Sequence, residues 1–237
     1  MSYAQNQYQG QLGDFAALAA ADERTTFITK TYMHLAGAIA LFAALEAVML
    51  TSGIALSLLG MMQAKWGGLI MMGMFIVVSM VASRWAVSAV SPATQYAGLG
   101  LYIVAESIIF APLLLIADSF DPSVISSAAL TTLVLFGGLT AAVFITRKDF
   151  SFLRTFLVFG SFAAMGLILV SIFAGFQLGA FFLYAMIALA CGYILYDTSN
   201  VLHHYRIGQH VAASLALFAS VALLFWYLVQ FFMSRRD

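Results

Sequence analysis

Residues 211–233 read VAASLALFASVALLFWYLVQFFM, and no acidic or basic residue interrupts these 23 positions. Crossing about 30 Å of hydrocarbon takes roughly 20 apolar helical residues, so this segment is long enough to span a membrane. None of the apolar segments shows the alternation typical of a lipid-spanning β-strand. The sequence therefore predicts an all-α membrane protein with seven transmembrane helices, the other six lying at about 30–50, 67–84, 95–117, 126–145, 154–174 and 177–197.

The composition supports a membrane protein and argues against the soluble classes. Of the 237 residues, 63% are hydrophobic and 8% are charged. In soluble domains, about 45–50% of the residues are hydrophobic and about 25% are charged. Ten Lys and Arg balance ten Asp and Glu, so no basic surface for nucleic acid is expected. We find no Gly-x-Ser-x-Gly or His-Glu-x-x-His motif, and therefore predict no enzyme. The histidines 203, 204 and 210 have the wrong spacing for a helical zinc site, so no metal site is predicted.

The basic residues of the short loops predict the orientation in the membrane. Seven of them fall on one side of the predicted spans and three on the other, which places the N-terminus in the cytoplasm and the C-terminus outside. Residues 1–23 are predicted to be a flexible cytoplasmic tail, and residues 24–237 the membrane domain. The larger group is Arg24, Lys30, Arg84, Arg147, Lys148, Arg154 and Arg206; the smaller is Lys65, Arg235 and Arg236.

Small residues inside two spans indicate where helices pack closely, because they let two backbones approach. Gly137 and Gly138 lie in the fourth predicted span, and Gly160 lies in the fifth. These three glycines, together with Ala141 and Ala142 of the fourth span, suit close helix packing.

Ionisable side chains inside a span are informative because each costs at least about 2.5–3.5 kcal/mol at the bilayer centre. Glu106 lies near the middle of the third span, and Pro112 frees the carbonyl of Ile108 nearby. The pair of features fits either a cation site or a protonated carboxyl that bonds to a neighbouring helix. Glu46 is expected to reach the lipid headgroups, and His34 to be an interfacial or packing histidine.

Asp197 is the strongest single candidate. It lies at the end of the sixth span, and helical spacing puts Tyr193 and Asn200 on the same face. These neighbours would give the carboxylate local hydrogen-bond partners. The alternative is that this face is only the hydrated end of a helix.

At Asp197 the sequence resembles a known family. YDT (196–198) followed by NVLH (200–203) is similar to the signature that ends the sixth span in the Bax inhibitor-1 family. The loop TRKDFSFL (146–153) looks like the loop after that family's fourth span. Residues 24–32 resemble its entry into the first span, and residues 233–237 resemble the short tail of its bacterial YccA branch. The resemblance covers about residues 22–237.

This resemblance implies a seven-helix bundle with the last helix in the centre and, for the YccA branch, a bacterial inner membrane protein. Family members are implicated in a calcium leak that responds to pH, and the YccA branch in modulating the membrane protease FtsH. In bacterial members the aspartate that matches Asp197 pairs with an aspartate of the seventh span. An arginine of the second span latches the closed form, and Arg84 is the candidate for that role here.

The sequence departs from this pattern because the seventh span has no acidic residue. The second aspartate falls at Ser220 or Val221, and we prefer Ser220. A lone carboxyl would titrate as one site rather than as a coupled pair. We therefore expect a modulator of an FtsH-like protease or another membrane partner. The alternative is a pH-responsive cation leak that uses Asp197 and Glu106, with Ca²⁺ as the permeant or bound ion and no other cofactor.

Overall fold

The computed structural model describes residues 15–88 and 91–235, and all regular structure in them is helical. Seven helices are long and apolar enough to cross a membrane, and one is shorter. This confirms the predicted all-α fold with seven spans. The helices are α1 (Ala21–Thr51), α2 (Ile54–Gln63), α3 (Gly67–Ala86), α4 (Pro92–Phe120), α5 (Ser123–Thr146), α6 (Leu153–Ala174), α7 (Ala180–His203) and α8 (His210–Ser234).

The last helix is the most enclosed of the seven. In α8, 78% of the residues in its most apolar window are buried, against at most 50% in any other span. This burial agrees with the central position that the resemblance implied for the last helix.

Helix α2 was not predicted, because its ten residues are too few to cross a bilayer. It is separated from α1 by Ser52 and Gly53, and Gly53 has a φ of 80°. A left-handed residue at this position ends a helix, and glycine adopts it without a steric penalty. The apolar run of the first span is thus followed by a second, shorter helix rather than by a loop.

The described chain divides into two compact units. The first contains the residues up to Ile116 together with His203–Phe218, and the second contains Ala117–Leu202 together with the residues from Ala219 onward. Helices α4 and α8 each contribute to both units.

The core of the first unit is built from aromatic rings. The ring of Phe42 on α1 lies 5.0 Å from that of Phe110 on α4 and 5.8 Å from that of Phe218 on α8, measured between centroids. Tyr102 on α4 lies 6.1 Å from Phe218. Edge-to-face pairs at these distances stabilise a core beyond the burial of their area.

The described part of the predicted tail is anchored to the loop before α8. The amide of Ala16 donates a hydrogen bond of 2.9 Å to the carbonyl of Tyr205. The guanidinium of Arg24 donates to the carbonyl of Ala16 at 2.7 Å, and Arg206 lies over the ring of Phe15. Residues 1–14 of the predicted tail lie outside the described residues.

In the second unit, α6 and α7 pack by placing a leucine of each helix over a glycine of the other. A Cβ atom on Gly160 would lie 2.8 Å from Leu189, and one on Gly192 would lie 2.9 Å from Leu157. Both leucines belong to the buried core of this unit, together with Tyr227 of α8. The prediction of a close contact at Gly160 is therefore confirmed.

The corresponding prediction for α5 is wrong. Around Gly137 and Gly138, no described atom of another element lies within 4 Å of the position that a Cβ would take. Small residues permit a close approach but do not require one, so their presence alone did not locate the contact.

Candidate functional site

Asp197 is buried in the second unit, where α7 packs against the second part of α8. Its carboxylate accepts a hydrogen bond from the hydroxyl of Ser220. The two side chains are 8% and 4% exposed, respectively. Ser220, the preferred position for the missing second acid, is therefore the residue that contacts Asp197.

Tyr193 has a different partner from the predicted one. Its hydroxyl is 2.9 Å from the hydroxyl of Ser161 on α6 and also reaches the carbonyl of Leu157 at 3.4 Å. Tyr193 therefore joins α6 to α7, while the Asp197 carboxylate bonds across to α8.

Ser199, which no sequence motif indicated, joins two of the segments that carried the resemblance. It is fully buried on α7, and its hydroxyl accepts a hydrogen bond of 2.8 Å from the amide of Phe150 in the loop after α5. The same hydroxyl donates to Asp149 at 3.4 Å. Asp149 also accepts from the amide of Ser151 at 2.8 Å, which closes the loop as an Asx-turn. The loop is thereby fixed to α7 two residues after Asp197.

Arg84, the candidate latch, lies in the last turn of α3 and is exposed. It belongs to the first unit, whereas Asp197 and Ser220 belong to the second. The role of Arg84 as a latch stays a prediction.

The first unit contains two further buried carboxyl groups. Glu106 on α4 is 7% exposed, and the hydroxyl of Tyr102, one helical turn earlier, bonds to its carboxyl. Glu46 on α1 is 4% exposed. Neither carboxyl oxygen of Glu46 has a hydrogen-bond partner among the described residues.

The expectation that Glu46 reaches the lipid headgroups is wrong. The buried positions of α1 recur every three or four residues, which is the spacing of one helix face. Glu46 continues this buried face one turn after Phe42. Its position near the end of the predicted span therefore did not predict whether its side chain is exposed. The buried face could have been recognised in the sequence: it consists of Phe27, Thr31, Leu35, Ala38, Phe42 and Glu46.

His34 is half-buried on α1, and its ring packs against those of Tyr96 and His210. Its Nε2 atom is 3.0 Å from the hydroxyl of Tyr96 on α4, and its Nδ1 atom is 2.6 Å from the carbonyl of Lys30. The Tyr96 hydroxyl also lies 3.5 Å from Nε2 of His210. These contacts connect the first turns of α4 and α8 to α1.

Among residues 15–88 and 91–235, no group of three or more His, Cys, Asp or Glu side chains is arranged to hold a metal ion. At Asp197 the described ligands are one carboxyl and one hydroxyl. Calcium takes six to eight oxygen ligands. The carboxyl and the hydroxyl together supply three oxygen atoms, fewer than this number.

The described residues contain seven helices long and apolar enough to cross a membrane and three buried carboxyl groups, and together they define a multi-pass membrane protein with ionisable groups in its spans. Such groups typically mark a functional site. The family described as "Inhibitor of apoptosis-promoting Bax1" has a sequence model that matches residues 24–237. The chain therefore belongs to the Bax inhibitor-1 family.

Curated relatives come from bacteria, plants, fungi and vaccinia virus. The chain is 35% identical over 116 residues to an uncharacterized protein of Pseudomonas aeruginosa, covering 46% of this chain and 50% of the relative. It is 33% identical over 145 residues to the protein LIFEGUARD 4 of Arabidopsis thaliana, covering 58% of this chain and 57% of the relative. It is 34% identical over 122 residues to Bax inhibitor 1 of Schizosaccharomyces pombe, covering 47% of this chain and 42% of the relative. The chain thus spans about half the length of the curated relatives it matches.

Proposed function

We propose that this protein is a multi-pass protein of the bacterial inner membrane that modulates a membrane partner, such as an FtsH-like protease, through a one-proton response at Asp197. The observation that carries this proposal is the buried bond between Asp197 and Ser220. A hydrogen bond to an ionised carboxylate is roughly twice as strong as a neutral one. Protonation of Asp197 therefore weakens the link between α7 and the second part of α8.

The replacement of the family's second acid by Ser220 supports modulation rather than conduction at this site. One carboxyl and one hydroxyl supply too few oxygen atoms for calcium. They do supply a two-state contact, which is charged in one state and neutral in the other. A contact of this kind changes how helices pack without requiring an ion to pass.

The test uses the purified protein reconstituted in lipid nanodiscs with an FtsH-like protease and a membrane-bound substrate. We expect the protein to change the degradation rate by roughly fivefold or more between the two protonation states. The Asp197→Asn variant is expected to give one rate at all pH values. Degradation that is unaffected by the wild-type protein over the whole pH series would contradict protease modulation.

A pH-responsive cation leak, with Ca²⁺ as the permeant ion, is the second candidate. It is favoured by the two carboxyl groups of Glu46 and Glu106, which are buried in the first unit. The test is calcium flux into liposomes that contain the purified protein alone. A leak through this region predicts reduced flux in Glu106→Gln, because the amide retains the shape of the side chain but never carries a charge. Equal flux in the wild type, Glu106→Gln and empty liposomes would exclude the leak.

The proposed orientation places the N-terminus in the cytoplasm and the C-terminus in the periplasm. It is supported by the seven-to-three distribution of basic residues and by the odd number of long helices among the described residues. We expect alkaline phosphatase fused to the C-terminus to be active and a fusion at Arg206 to be silent. The opposite pair of results would invert the topology and move the Asp197 end of α7 to the periplasmic side.

A further inference from the structure

We propose that His34, Tyr96 and His210 form a site that binds one proton, and that the Tyr96 hydroxyl passes this proton between the two imidazole rings. His34 lies on α1, and the other two residues lie near the starts of α4 and α8. All three belong to the first unit, whereas Asp197 belongs to the second. The site therefore does not depend on the function proposed for Asp197.

The two imidazole rings are in contact with each other and with the same hydroxyl group. Their centroids lie 4.9 Å apart. The hydroxyl of Tyr96 is 3.0 Å from Nε2 of His34 and 3.5 Å from Nε2 of His210. The Nε2 atoms of both histidines thus face one oxygen atom, which can donate a single hydrogen bond and can also accept one.

The carbonyl of Lys30 determines which nitrogen of His34 carries the hydrogen when the ring is neutral. Nδ1 of His34 is 2.6 Å from this carbonyl oxygen, and a carbonyl only accepts hydrogen bonds. We therefore assign the hydrogen of neutral His34 to Nδ1. This assignment leaves Nε2 of His34 as an acceptor, and the O–H group of Tyr96 is its donor.

One added proton has two places in this chain of hydrogen bonds. When it is on His210, the Nε2–H group of His210 donates to the Tyr96 oxygen, and the Tyr96 O–H donates to Nε2 of His34. When it is on His34, both hydrogen bonds are reversed. The proton passes when His210 gives its Nε2 hydrogen to the Tyr96 oxygen while Tyr96 gives its own hydrogen to Nε2 of His34. Tyr96 is therefore unchanged at the end of the transfer.

The contact between the rings limits the site to one proton near neutral pH. Histidine is the side chain whose ordinary pKa, about 6.5, lets it take up a proton in this range. Two imidazolium rings with centroids 4.9 Å apart would repel each other. The second proton is therefore expected to bind only at a lower pH than the first.

Charged side chains of α1 lie close to one end of the site. Asp22, Glu23 and Lys30 line a cavity of about 330 Å³ together with His210. The two carboxylates favour an imidazolium ring, and the ammonium group of Lys30 opposes it. On α4 no charged residue precedes Glu106, and α8 contains no lysine, arginine or acidic residue.

Two arginines belong to the neighbouring segments. Arg206, in the loop before α8, lies over the ring of Phe15. Arg84 is exposed in the last turn of α3, the helix that approaches α4 at Gly98, two residues after Tyr96. Both arginines add positive charge, which further disfavours a second proton at the site.

The site lies between a polar cavity and an apolar groove. His210 lines the cavity that contains the two carboxylates, whereas His34 and Tyr96 line a groove of about 420 Å³ between α1 and α4. Tyr96 is 44% exposed and both histidines are half-buried. A proton can therefore reach the site without separation of the helices, and the transfer through Tyr96 connects the cavity with the groove.

The chain allows a direct measurement because it has only four histidines, His34, His203, His204 and His210. Histidine labelled with ¹⁵N in the ring gives NMR signals from the full chain in lipid nanodiscs, and these signals distinguish a protonated nitrogen from a bare one. In a pH series, we expect His34 and His210 to share a first step in which each signal covers part of its amplitude. The second step should lie about one pH unit or more lower. Above both steps, His34 should carry its hydrogen on Nδ1.

Variants of the two histidines test whether the proton is shared. In His34→Gln and in His210→Gln, the remaining ring should titrate in one step of full amplitude, because it no longer divides the proton with a partner. Asp197→Asn is the control in the other unit, and it should leave both signals unchanged. This control separates failure of the present proposal from failure of the function proposed for Asp197.

Tyr96→Phe tests the role of the hydroxyl, because it keeps the ring and removes only the oxygen. At high pH, the Nε2 signal of His34 should move to the position of a nitrogen without a hydrogen-bond donor. The first step should move to lower pH by roughly half a unit or more, since the imidazolium loses a charge-assisted hydrogen bond. The signals of His203 and His204 serve as internal references and should not change.

Three results would overturn the one-proton site. The first is that the wild-type signals of His34 and His210 follow independent single-site curves of full amplitude, a reading that needs no variant to fold. The second is that Tyr96→Phe leaves both the Nε2 signal of His34 and the first step unchanged. The third is that an equimolar amount of ZnCl₂ at constant pH shifts the signals of His34 and His210 but not those of the reference histidines, which would make the cluster a metal site.

Discussion

Gly98→Ala is expected to lower the free energy of unfolding by about 1–3 kcal/mol, the range typical of overpacked cores. A Cβ atom on Gly98 of α4 would lie 2.6 Å from the carbonyl oxygen of Ala82 and 2.6 Å from the amide nitrogen of Ala86, both on α3. It would also lie 2.9 Å from the Cβ atom of Trp85. Two of these three atoms are backbone atoms that cannot rotate away, so α3 and α4 must separate.

Gly100→Ala is the matched control, two residues further along the same helix. No described atom of another element lies within 4 Å of the position that its Cβ would take. Because alanine favours a helix over glycine by about 0.5–1 kcal/mol, we expect this variant to be as stable as the wild type or more so. Chemical or thermal unfolding in detergent micelles measures both variants. Equal stability of the two variants would show that the α3–α4 contact at Gly98 is not rigid.

The long apolar segments made the seven spans predictable from the sequence, because length and hydropathy alone determine which helices can cross a bilayer. Helix α2 could not be found in this way, since a ten-residue apolar helix between Gly53 and Lys65 has no transmembrane signature. The packing of the spans was less predictable. Gly160 and Gly137 both lie in apolar helices, and only Gly160 meets a neighbour, because the difference depends on the facing helix.

The Asp197–Ser220 contact was anticipated only through the family resemblance, which placed Ser220 at the position of a second acid. Local spacing suggested Tyr193 as the partner of Asp197, yet Tyr193 bonds to Ser161. Spacing on one helix shows which side chains share a face, but the partner comes from a helix that is remote in sequence. For Glu46, in contrast, the spacing of apolar residues on α1 already indicates that its side chain lies on the buried face. Its depth in the membrane alone led to the wrong expectation that it is exposed to the lipid headgroups.

Asp197→Asn is expected to abolish the pH-dependent change at the α7–α8 contact, because the asparagine side chain does not titrate over the pH series. The wild type should follow a one-proton curve, since Ser220, the residue bonded to Asp197, does not titrate. The measurement is the fluorescence of a probe attached to α7 of the reconstituted protein over a pH series. If Asp197→Asn follows the wild-type curve, Asp197 is not the group that titrates.

Ser220→Asp should restore a coupled pair and add a second titration step to this curve. The new carboxyl would replace the hydroxyl that now contacts Asp197, and two carboxylates in contact give two macroscopic steps separated by more than about one pH unit. Val221→Asp is the matched control, because it adds the same charge at the next position of α8, rotated by about 100° around the helix axis. Its carboxyl should leave the Asp197 step uncoupled. A second coupled step in Val221→Asp and none in Ser220→Asp would place Val221, rather than Ser220, opposite Asp197.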